Sequence, residues 1–495
     1  MKFIEWLNEL VPVAIGVIGV IALIISIVEA YKNWETIKEM FSKTKKGIGK
    51  LLTIHRTGKR RKYNRTVSDL EFLNWQKQVL RYIYPFLNNN KNEKKEWEIA
   101  NAFGYEYEAL YFKSKEIQYP FNEIREKQKL GDFPLSIKKK SGKVKVIYEK
   151  EMKSKVAKQY YKLLKPTIKF PNNIGYMLDS MEIGEDGFGF SAHPNTYLSN
   201  VYTSNVLEYE LYLLYKKIYK NRHIRKNIAG EILDVPGKSY YIKRRLYFKK
   251  RILYLGDDAN EFLLNNLPIR KSIHDKFNDE ENILTEGRGR ESLLGVQAMV
   301  LCKNRRKGYD VLRIRRSEAV DAKAGFLQFI PSGGFSALEN DVSHDCITSN
   351  FSVSKAILRE FLEECFGEED FSGRKTISTE SIYADDIIKR LDPLKNTQNI
   401  EFIGTAFSLV SLRHELCFII KIDDFDVIDR IRNNEECASV IDFISLDKLE
   451  NEATWNYKFA NAQYNDYEKL NPTSAALWNL AKGTTLYNRC KESEN

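Results

Sequence analysis

Residues 352–366, SVSKAILREFLEECF, decide how the C-terminal part of this chain is read. Ile357, Phe361, Leu362 and Cys365 recur at helical spacing and form one apolar face, and Ser352 or Ser354 stands where an N-cap is expected. Glu360, Glu363 and Glu364 then share the other side at i, i+3 and i+4. Carboxylates crowded in this way repel one another unless cations stand among them. Hard divalent ions such as Mg²⁺ take oxygen ligands of this kind, commonly beside substrate phosphates. Arg359 is placed to orient one carboxylate by a charge-assisted bond. Standing alone, an R-E-x-x-E-E helix reads as an ordinary solvated face.

Its surroundings argue for more. Residues 295–301, 311–315, 400–410 and 415–422 read as apolar strands, residues 326–330 lead into a Pro-Ser-Gly-Gly turn, and Trp478 lies in a closing helix. Strands and helices alternating around one core predict an α/β layered arrangement. Gly333 and Glu339 precede the helix at G-x5-E spacing, directly after the strand that ends in Ile330-Pro331.

With these residues the tail, roughly 291–482, resembles the Nudix family, whose signature is G-x5-E-x7-R-E-U-x-E-E-x-G-U with U bulky and apolar. Gly333, Glu339, Arg359, Glu360, Phe361, Glu363 and Glu364 match it. Two departures stand out. Nineteen residues separate Glu339 from Arg359 where the signature has seven, so a twelve-residue insertion containing His344 and Cys346 enlarges the loop. Phe366 stands where the closing glycine is expected, and Gly367 follows one position later. The resemblance implies an α/β/α sandwich, Mg²⁺ or Mn²⁺ held by Glu360, Glu363 and Glu364, and Glu363, Glu364 and Arg359 as the catalytic set. It further implies that Glu339 supports the site and that Gly333, Gly334 and Arg413 meet the ligand, with Glu415 a further candidate ligand of the metal. The chemistry implied is attack of water on a nucleoside diphosphate linked to another group. Relatives with altered boxes serve as nucleotide-binding or regulatory modules.

At the other end, residues 10–28 (LVPVAIGVIGVIALIISIV) run for nineteen positions without a charge, the length needed to cross the hydrocarbon core. A cleaved signal peptide would carry its positive charges ahead of the apolar run, where only Lys2 stands. A buried core helix this long, apolar on every face and hard against a terminus, is unusual in a soluble domain. Thirteen Lys or Arg face five Asp or Glu in residues 1–65, mostly just after the run, which predicts the N-terminus outside and the bulk of the chain in the cytoplasm. Anionic lipid headgroups suit this basic neck better than nucleic acid does. Ala22, Ser26 and Ala30 give the span a small-residue face on which a homo-oligomer can pack.

Between the two ends, residues 66–290 read as mixed α and β, with helical patterns at 70–86 and 206–219 and a boundary in the cluster at 277–282. Gly184, Gly187 and Gly189 in IGEDGFGF fit a plain turn better than a phosphate loop, because no Lys or helix start follows at P-loop spacing. Basic and aromatic residues interleave over 238–254, a mixture suited to anionic ligands, nucleic acid or a lipid surface, and equally to a solvated strand or helix face. The six cysteines and six histidines are scattered without zinc-ligand spacing, which predicts reduced thiols. An aromatic content of 12% and only 38 Gly plus Pro exclude a disordered or collagen-like chain.

The expected organisation is a transmembrane anchor (1–30), a basic neck (31–65), a cytosolic mixed α/β region (66–290), a Nudix-like domain (291–482) and a tail (483–495). This architecture resembles the membrane-anchored Nudix effectors of bacterial cyclic-oligonucleotide (CBASS) anti-phage defence. That likeness implies an inner-membrane protein that senses a cyclic oligonucleotide and oligomerises to disrupt the membrane. The alternative is a membrane-tethered, Mg²⁺-dependent Nudix hydrolase. A nucleic-acid-binding reading rests on charge alone, and topology accounts for most of that charge.

Overall fold

The computed structural model describes residues 70–88, 96–104, 108–113, 119–120, 128–130, 137–140, 143–146, 154–166, 174–184, 187–220, 231–235, 239–242, 245–248, 251–255, 259–317, 323, 325–337, 344–367, 385–391, 399–434, 440–459 and 470–492. The chain divides into two compact units, Met1–Lys62 and Tyr63–Asn495, and all the described residues belong to the second. Among them no helix is long and apolar enough to cross a membrane. The expected span at 10–28 and the basic neck lie outside the described residues.

The chain up to residue 290 supplies α1 (Leu70–Ile83), β1 (Trp97–Ile99), β2 (Ala109–Lys113), α2 (Lys155–Leu164), β3 (Ile174–Gly184), β4 (Gly187–Thr196), α3 (Val206–Lys220), α4 (Ala259–Asn265) and α5 (Pro268–His274). The rest supplies β5 (Gly295–Lys303), β6 (Tyr309–Arg315), β7 (Leu327–Phe329), β8 (Ser332–Gly334), α6 (His344–Asn350), α7 (Val353–Phe366), α8 (Asp386–Leu391), β9 (Ile400–Ser408), β10 (Arg413–Ile422), α9 (Phe425–Asn433), β11 (Ile441–Ser445), α10 (Leu446–Phe459), α11 (Pro472–Lys482) and α12 (Thr485–Glu492). The mixed α/β content expected from the sequence is present.

The main sheet runs β1-β2-β9-β10-β5-β6-β7, with β8 also on β5, β11 on β6 and the short strand Tyr119–Pro120 on β9. Only the central β5–β10 pair is parallel among these neighbours. β5 and β6 pair over 301–303 and 309–311 and then diverge. The β7–β8 segment fills the opening, β7 on β6 and β8 on β5, and this brings Gly333 beside Val296. Strand alternation divides the core in two. Val296, Ala298 and Val300 pack with Ile357 and Phe361 of α7, while Met299 and Leu301 pack with Trp478 and Leu477 of α11.

The sheet does not stop at residue 291, the expected domain boundary. β1 and β2 extend it beyond β9, with Phe112 opposite Thr405 and Leu110 opposite Phe407. The 277–282 cluster is likewise packed in place: Asp279 caps a short helix at Glu280–Leu284, and Trp97 donates to Glu281 at 2.5 Å. In the glycine-rich IGEDGFGF the β3–β4 hairpin pairs Gly184 with Gly187, and the two residues between them lie outside the described residues. In the basic, aromatic stretch, Ser239–Ile242 pairs antiparallel with Arg245–Phe248.

Candidate active site

Helix α7 starts and stops as its sequence dictates. Ser352 is the N-cap and accepts from the Lys355 amide at 3.4 Å, and Gly367 closes the helix in the left-handed region at φ 63°. The displaced glycine therefore performs the capping, one residue later than the signature places it. Ile357, Phe361, Leu362 and Cys365 are buried against the sheet, so Glu360, Glu363 and Glu364 come to the edge of the β8 strand.

That strand is where the sequence motif becomes a site. Gly333 faces the Glu360 carboxylate so closely that a Cβ there would lie 2.0 Å from Oε2, which excludes any side chain without displacement of the glutamate. Arg359 is buried and reaches back over the loop, donating to the carbonyls of Gly334 (3.1 Å) and Ser336 (3.1 Å). It also donates to Glu360 Oε1 at 2.6 Å and lies 3.7 Å from Glu363 Oε1. Burial opposes its charge, but Glu360 and then Glu363 hold its pKa above the usual value. Glu364, half-buried, accepts from the Ser332 amide at 2.7 Å. Burial and then repulsion from Glu360 push its carboxyl up to about 8, against the pull of that amide and of Arg316.

The structure thus brings together Gly333, Gly334, Arg359, Glu360, Glu363 and Glu364. Arg413 joins them indirectly: its Nε donates to the Leu293 carbonyl at 3.1 Å, and the Leu293 side chain lies 3.3 Å from where a Gly334 Cβ would stand. Glu415 is separated from the helix glutamates. It pairs in register with Gly295 and alternates with Leu416, which packs in the α7 layer, so it lies on the opposite face of the sheet. Glu339 lies outside the described residues, and the insertion after it contains α6.

Two contributions had no signal in the sequence. Arg316, at the end of β6, acts on Glu364 electrostatically while it donates to Gln328. Tyr176 of β3 clamps the loop from the side: its amide donates to Phe335 O at 3.0 Å, its hydroxyl to Ile347 O at 2.7 Å, and its ring packs on Phe335 and Phe351 at 4.6 and 4.9 Å. The hairpin carrying it is fastened by His193, which lies between Asp179 (2.6 Å) and Glu291 (2.7 Å). Burial opposes the imidazolium, but the two carboxylates raise its pKa to about 9.

As donors for a divalent cation, the three α7 glutamates have the right chemistry, hard oxygen ligands whose mutual repulsion a cation would relieve. Among the described residues no three His, Cys, Asp or Glu side chains converge as a ligand set, and the Arg359 guanidinium holds Glu360 in its place. Compared with protein-family models and with curated proteins, the chain matches none.

Proposed function

We propose that this chain is a single-span membrane protein whose cytosolic Nudix-like region draws Glu360, Glu363 and Glu364, which do not converge in the structure, together on Mg²⁺ or Mn²⁺ and hydrolyses a nucleoside diphosphate-linked substrate. The observation that carries this reading is the wrapping of residues 332–336 around the glutamate end of α7, with Gly333 against Glu360, Arg359 on two loop carbonyls and Glu364 on the Ser332 amide. A bound divalent ion would polarise a phosphoryl oxygen and lower the pKa of an attacking water. The chain's own residues do the positioning. Arg359 fixes the loop and orients Glu360, Gly333 leaves room for that carboxylate, and Arg316 adds positive charge beside Glu364. The test is Mg²⁺-dependent turnover of a panel of nucleoside diphosphate conjugates by full-length protein. Cleavage of one class, lost in Glu363→Gln, supports the reading; equal turnover by the variant overturns it.

A second reading is favoured by the uncharged run at 10–28, its basic neck and the small-residue face at Ala22, Ser26 and Ala30. On this reading the soluble region senses a cyclic oligonucleotide, and the spans oligomerise to disrupt the bacterial inner membrane as an anti-phage effector. Replacing residues 10–28 by a soluble sequence is then expected to abolish toxicity and preserve nucleotide binding. A toxic variant without the span would contradict it.

A further inference from the structure

The residues between α4 and β5 reach the turn that joins β9 to β10. Arg270 donates to the carbonyls of Leu409 (3.1 Å) and Val410 (2.7 Å) and to the Tyr84 hydroxyl. Arg290 donates to the carbonyls of Leu412 (3.0 Å) and Ile283 (2.9 Å). His274, one turn after Arg270 on α5, stacks on Tyr84 with ring centroids 5.3 Å apart. Relative exposure is 0% for Arg270, 4% for Arg290 and 5% for His274.

Negative charge is scarce around them. Among the described residues no carboxylate oxygen lies within 4.0 Å of either guanidinium. Glu210 spends its two oxygens on the amides of Ile269 (2.6 Å) and Arg270 (3.1 Å), and acts on the Arg270 charge only from that distance. Glu280 is 3.9 Å from His274 Nδ1, beyond hydrogen-bonding reach, and its side chain is 37% exposed. Arg270 Nε, Arg290 Nη1 and both ring nitrogens of His274 have no hydrogen-bond partner among the described residues. Burial and the neighbouring Arg270 charge pull Arg290 down to about 10, against Tyr84, and burial with both guanidiniums holds His274 below its usual value, against Glu280. A buried ion without a counter-charge is costly, and each buried donor without an acceptor adds to that cost.

We propose that Arg270, Arg290 and His274 enclose a binding site for one small inorganic anion of halide size. It accepts from Arg290 Nη1, Arg270 Nε and a ring N–H of His274, and it adds negative charge beside two guanidiniums that no carboxylate contacts. Because the same arginines hold the carbonyls of residues 409, 410 and 412, its occupancy stiffens the β9–β10 turn immediately ahead of Arg413.

The test melts full-length protein at constant ionic strength while sodium gluconate is replaced by sodium bromide. A saturable rise in melting temperature of about 2 °C or more is expected, and its loss in Arg290→Met. Should that variant fail to fold, anomalous diffraction from bromide-soaked crystals of the full chain decides the matter, with a peak expected between Arg270, Arg290 and His274. A melting temperature indifferent to bromide, a rise that persists in the variant, or maps without that peak would each overturn the proposal.

Discussion

Two clusters of buried charge, of opposite sign, are built in different ways. At the glutamate end of α7 the charges are contiguous in sequence, and Arg359 answers Glu360 at 2.6 Å within one helix. Around Arg270 and Arg290 the charges come from separate segments, and no carboxylate lies within 4.0 Å of either among the described residues. The difference teaches that one helix can carry both a charge and its partner, whereas here tertiary packing gathers two guanidiniums from separate segments without bringing a carboxylate into contact with either.

The sharpest way to break the comparison is to remove function from the α7 cluster while keeping its shape. Glu364→Gln is expected to lower Mg²⁺-dependent turnover by about 10²-fold or more, read in steady-state kinetics, with an unchanged circular dichroism spectrum. Arg359→Met should cost about 3–5 kcal/mol in denaturant unfolding, because it leaves Glu360 buried without its partner and frees the carbonyls of Gly334 and Ser336. Gly333→Ala should cost about 1–3 kcal/mol, since the new Cβ meets Glu360 and one of the two must move.

Smaller effects sharpen the account of the clamp. His193 has a folded pKa of about 9 against an ordinary 6.5, so its contribution is fully present below pH 6.5 and is lost as pH rises through 9. Unfolding free energy should fall over that window by at most about 1.4 kcal/mol per pH unit. The slope should flatten in His193→Gln, whose side chain does not titrate. Tyr176→Phe, which removes the bond to Ile347 O, should cost about 1 kcal/mol in the same measurement.

Helix α7 was legible because period, cap and charge spacing all lie within fifteen residues, and the strands around it because apolar runs of that length are strand-like. The direction of Glu415 was not legible: one step of strand alternation puts it on the far face of the sheet, and register is a tertiary property. The extension of the sheet by β1 and β2 was hidden for the same reason, since β2 at 109–113 pairs with a strand at 404–408 and β1 pairs in turn with β2. The arginine cluster joins residues 84, 270, 274, 290 and 409–412, a set that no local pattern connects.

Calorimetric titration of Mn²⁺ into full-length protein and into Glu363→Gln tests the central claim most directly. The account predicts a saturable site in the parent protein that is lost or greatly weakened in the variant, both proteins remaining folded. Equal Mn²⁺ binding by the two, or none by either, would contradict it.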